Sequence, residues 1–144
     1  MSQVGSSYTL STRTELAFSD AVARVRDELT HEGFGVLCEI DLQATLKQKL
    51  GVDREPYLIL GACNPPLAHE ALDAEPELGV LLPCNVVVYQ RRGQTHIAAV
   101  DAAQMLSIVG NDELADTASE VRRRLSAVVE RAAESPGHPL DDHA

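Results

Sequence analysis

Two apolar runs joined by an Arg-Gly pair constrain the fold of this chain more than any other feature. Leu81 to Gln90 reads as the strongest strand in the sequence, and Thr95 to Val100 follows after Arg92-Gly93. A two-residue connection returns the chain antiparallel, although Arg is not the favoured first residue of such a turn. The resulting register sets Tyr89 against His96, Val88 against Ile97 and Val86 against Ala99. A purely parallel, doubly wound sheet is thereby set aside.

The remaining elements arrange themselves around that hairpin. Tyr8 to Thr14 alternates with β-branched residues and predicts a first strand. Ser19 is expected to cap a helix with Phe18, Val22, Val25 and Leu29 on one stripe, stopping near Gly33. Val36 to Ile40 predicts a second strand, with Val36, Cys38 and Ile40 on one face and Cys38 in the core. Asp41 then caps a short helix striped by Leu42, Leu46 and Leu50, and Pro56 opens a third strand, Tyr57 to Cys63. Asn64 can cap another short helix with Pro65 or Pro66 in its first turn, where a missing N–H costs nothing. Asp101 caps a short helical piece, and Leu114, Ala118, Val121, Leu125, Val128 and Ala132 stripe a long final helix. The expectation is one α+β domain over residues 8–134, with flexible ends at 1–7 and 135–144. Its mainly antiparallel sheet packs against the first and last helices, and two short helices are inserted.

Composition narrows the function classes. The formal net charge is -10, which disfavours phosphate backbones and anionic membrane surfaces as partners. No run approaches the roughly 18 apolar residues of a membrane span, and the start lacks a secretory pattern. Three cysteines without close pairs fit a reducing cytosol, so a cytoplasmic setting is expected. No glycine-rich phosphate loop, nucleophile elbow or H-E-x-x-H sequence occurs.

What stands out chemically is a doubled dipeptide, Cys63-Asn64 and Cys84-Asn85, each next to proline at the edge of an apolar run. If the two strands are neighbours, Cys63, Asn64, Cys84 and Asn85 line one small site. Three roles follow. The site could bind a small molecule, or a soft metal ion on Cys63 and Cys84, in a non-enzymatic sensing module. Alternatively Cys63, near a helix N-terminus, acts as a redox nucleophile with Cys84 as its resolving partner. In the third, the pairs lock adjacent strands of a purely structural dimer module. Asn85 is notable because a strand interior does not favour Asn. His96 should share its face, and His69 with Asp73 reads as a surface pair.

The stretches Gly61-Ala62-Cys63-Asn64-Pro65 and Leu81-Leu82-Pro83-Cys84-Asn85, with Gly35-Val36-Leu37 and Leu67-Ala68, resemble a family known as DUF302 over roughly residues 8–132. The resemblance implies a TBP-like β-α-β4-α unit and a homodimer. It brings no assigned activity and no catalytic residues and leaves any cofactor unknown, and a TBP-like fold does not bring DNA binding with it.

Overall fold

The computed structural model describes residues 7–134. The readings of residues 1–6 and 135–144 as flexible ends lie outside the described residues. Five strands, β1 (Thr9–Thr14), β2 (Gly35–Asp41), β3 (Tyr57–Cys63), β4 (Cys84–Arg91) and β5 (Gln94–Val100), form one sheet in the order β1-β5-β4-β3-β2. Every neighbouring pair is antiparallel. Between them run α1 (Phe18–His31), α2 (Leu42–Leu50), α3 (Pro65–Ala74), α4 (Ala102–Leu106) and α5 (Ala115–Ala132). The expected α+β fold and its β-α-β4-α series are thus present. The insertions number more than two, because α4 and two 3-10 segments, Pro76–Leu81 and Asp112–Leu114, join α2 and α3.

The hairpin is as expected, with Tyr89 opposite His96, Val88 opposite Ile97 and Val86 opposite Ala99. Arg92 and Gly93 both take positive φ, 53° and 77°. Arg is tolerated there because Glu55 grips the turn: its carboxylate accepts from the N–H of Arg92 at 2.8 Å and of Gly93 at 2.9 Å. Those two backbone donors hold the Glu55 carboxyl below its ordinary pKa.

Alternation along the strands sends Leu58, Leu60, Val86, Val88, Ile97 and Leu10 to one face, where α1 and α5 cover them. The long α5 stripe is buried as its spacing predicts. A second, smaller cluster of Ala71, Leu78, Leu106, Leu114 and Ala118 lies among the inserted helices.

Four boundaries and faces differ from expectation. The first helix begins at Phe18 after Ala17, not behind a Ser19 cap, because buried Leu16 and half-buried Phe18 fix the chain's entry into the core. Strand β4 starts at Cys84, three residues late, since Pro83 has no N–H for the ladder and Leu81 closes a 3-10 segment. Leu50 of the α2 stripe is exposed. Cys38 is exposed as well, not core: a bulge between Val36 and Cys38 reverses the parity of β2, so only Val36 packs inward.

That reversal brings Cys38 over Gly61. A Cβ on Gly61 would lie 2.6 Å from Cys38 Sγ and 2.8 Å from Cγ of Pro83. The thiol can swing aside, but the Pro83 ring cannot, which explains a glycine inside β3. Gly61→Ala should therefore destabilise the fold by about 1–3 kcal/mol in urea unfolding. An unchanged midpoint would show that Pro83 is free to move.

Candidate functional site

Asn64, 6% exposed, joins three helices. Its Oδ1 accepts from the N–H of Leu67 at 3.3 Å and so caps α3, as its position before two prolines predicts. Its Nδ2 donates to the carbonyl of Glu32 at 3.3 Å, at the end of α1. The same carbonyl accepts from Nη1 of Arg124, on α5, at 3.0 Å. Arg124 is itself held by Glu120 at 2.6 Å, and the hydrogen bonds from Arg123 and Arg124 pull the Glu120 carboxyl down to about 2.

The α1 end is shaped to receive these donors. Phe34 N–H reaches back to the Leu29 carbonyl and Gly33 N–H to that of Thr30, the paired bonds of a Schellman ending. Gly33 has a φ of +86°, and a Cβ there would stand 3.1 Å from Asn64 Nδ2 and 3.3 Å from Arg124 Nη1. Glycine is needed both for the turn and for the approach of the two donors.

Behind Asn64 lies a cavity of about 270 Å³. It is the space left where the main core meets the smaller cluster, with Phe34, Val121 and Cys84 on one side and Ala71, Leu78 and Leu106 on the other. Cys63 and Cys84 both line it. Strands β3 and β4 are neighbours, with Ala62, the residue before Cys63, opposite Cys84. Cys84 is buried, and that burial, reinforced by nearby Cys63, pushes its thiol up to about 11.

Asn85 does not join them. It follows Cys84 inside a regular strand, so alternation sends it to the opposite face, exposed and across from Gly61. Asn64 escapes that rule because the chain has left the sheet there for α3. On its own face Asn85 lines a shallow groove with Val87, Tyr89 and Val100. Beyond it Tyr57, Tyr89 and His96 stack in a row across three strands, with ring centres 5.2 and 4.8 Å apart. Burial, with Arg13 and Arg91 nearby, lowers the His96 pKa. His69 and Asp73 make the expected exposed pair at 3.9 Å.

The cavity wall includes residues that carry no signal in the sequence. Met105 and Thr117 read as ordinary helix positions and reach the wall only through the packing of α4 and α5. Among the described residues, no group of three or more His, Cys, Asp or Glu side chains is placed to hold a metal ion. No described helix is long and apolar enough to cross a membrane.

The family described as domain of unknown function DUF302 matches residues 10–132. The chain belongs to the DUF302 family. It is similar in structure to a solved protein described as uncharacterized conserved protein DUF302 from Bacillus stearothermophilus. The two share 29% sequence identity and a TM-score of 0.83 over 88% of this chain and 99% of that one. No curated protein matches the chain.

Asn64→Ala removes a helix cap and one donor to a half-buried carbonyl, and should cost about 2–3 kcal/mol of unfolding free energy. Asn64→Asp keeps the capping oxygen but loses the donor and turns a carboxylate toward the Glu32 carbonyl at a buried position, so it should cost about 1–3 kcal/mol. An unchanged unfolding midpoint in Asn64→Asp would mean that the link to Glu32 contributes nothing.

Proposed function

We propose that this DUF302 protein is a non-enzymatic binding module, and that a small apolar molecule occupies the cavity lined by Cys63, Asn64 and Cys84. The observation that carries this reading is a space with an almost wholly apolar lining. A lined apolar space of about 150 Å³ suffices for benzene, and this one is about 270 Å³. Core cysteines in a purely structural module would be packed with no such space beside them. The redox alternative has less support. A thiol at about 11 is ionised in roughly one molecule in 10⁴ at neutral pH, which makes Cys84 a slow resolving partner for Cys63. A soft metal would have the two thiols Cys63 and Cys84 and little else. The TBP-like element order bears on fold alone, and the net charge of -10 argues against nucleic acid and anionic membrane as partners. Three free cysteines favour a cytoplasmic setting.

The partner we favour is a second copy of the chain. The sheet face turned away from α1 and α5 presents Ile59, Val87, Ala98 and Val100 beside the Tyr57–Tyr89–His96 row. None of the outward strand positions between Thr9 and Val100 on that face is a carboxylate. In so acidic a chain, this is where two copies meet with least repulsion.

Two measurements test these readings. Naphthalene, titrated while amide shifts are followed, should bind at the cavity with a Kd on the order of 0.1 mM. Ala68→Phe, which fills the wall from α3, should weaken it at least about tenfold; no shifts at cavity residues, or equal binding by that variant, would refute the site. In light scattering the wild type should be a dimer and Val87→Arg a monomer. A monomeric wild type, or a dimeric variant, would refute the sheet-face contact.

A further inference from the structure

Of the residues that line the cavity, only Leu37 and Leu72 are exposed, at 67% and 37%. The others are buried or half-buried, and Ala62, Leu78 and Ala102 are at most 2% exposed. A side chain that both lines a cavity and meets solvent stands at its mouth. The space therefore opens between β2, which carries Leu37, and α3, which carries Leu72 one turn beyond the lining Ala68. A single exposed leucine says little. Two that frame the mouth of an apolar cavity carry its lining out to the solvent.

The bulge in β2 is what puts Leu37 there. Val36 pairs with Ala62 and Cys38 with Gly61, so Leu37 is the extra residue, with no partner across the ladder. Strand β2 is also the last of the sheet, so no further strand covers it. Core packing does not account for the placement, because Leu37 keeps most of its surface in solvent. Inside the mouth, the two lining side chains other than thiols that can hydrogen-bond strongly are already engaged. Asn64 accepts from Leu67 N–H and donates to the Glu32 carbonyl, and Thr117 donates to Glu70. A polar head drawn into this space would lose its water and recover little in exchange.

We infer that the cavity takes the single hydrocarbon chain of an amphiphile, tail first, and leaves the polar head in solvent beyond Leu37 and Leu72. This rests on the apolar cavity proposed above and adds the shape of the ligand and its direction of entry. The chain is held by its buried methylenes, and its last carbons before the head lie against the two leucines at the mouth. The bulge then has a use: it turns one leucine of an edge strand from the ladder to the ligand.

Octanol, octyl glucoside and the octanediol with a hydroxyl at each end share one eight-carbon chain and separate the possibilities. Each is titrated into the full chain while amide shifts are followed, the glucoside below the concentration at which it forms micelles. Octyl glucoside should bind within about threefold of octanol, since its sugar stays outside. The diol should bind at least about tenfold more weakly than octanol, since one of its hydroxyls must enter the apolar space. Leu37→Ser, at a site that adds little to the core, should weaken octyl glucoside about fivefold. Rejection of the glucoside while octanol binds, a diol as tight as octanol, or unchanged binding by Leu37→Ser overturns the inference. Naphthalene bound while octanol is refused overturns this inference alone, whereas failure of both to bind overturns the cavity reading beneath it.

Discussion

A single buried side-chain amide sets the geometry on which the candidate site depends. Asn64 accepts from the start of α3 and donates to the end of α1, at a carbonyl that Arg124 also reaches from α5. A buried amide is favourable only if its groups are paired, so the position of α3 is tied to that of α1 and α5 together. Aspartate could not do both jobs, since its carboxylate offers the capping oxygen without a donor. Gly33 belongs to the same joint, for its missing side chain is what lets the two donors reach Glu32.

Fixing α3 in this way leaves space rather than removing it. The main core and the smaller cluster are each buried, and the cavity lies where they meet. Interiors normally close gaps of this size because unfilled volume costs contact energy. Here the wall is held from outside by hydrogen bonds to the backbone, so collapse of α3 onto the sheet would break the Asn64 joint. The two Cys-Asn copies thus do different work. Cys63 and Cys84 supply polarizable wall, Asn64 supplies the joint, and Asn85 belongs to the other face of the sheet.

Much of this architecture could be read from residues alone. The hairpin register, the Asn64 cap and the neighbouring strands of Cys63 and Cys84 follow from turn chemistry, helix-start chemistry and alternation. What failed was parity. One bulge in β2 moved Cys38 from core to surface, and no residue in Val36-Leu37-Cys38 announces it. Asn85 was misplaced for a simpler reason: alternation already forbids adjacent strand residues from sharing a face, and the repeated dipeptide outweighed that rule. The second bond of Asn64 and the cavity itself were beyond local reading. Both depend on how the end of α1 meets the end of β3, more than thirty residues apart along the chain.

The central claim is that the Asn64 joint holds open an apolar, lined space beside the two cysteines. Xenon fills apolar cavities and makes no hydrogen bonds, so a crystal pressurised with it reads that space without presuming a ligand. The account predicts a xenon peak between Cys63, Cys84 and Met105 in the wild type, and its loss or weakening in Asn64→Ala. Ordered water in that position, or side chains of α3 closed onto Cys84 with no xenon between them, would contradict it.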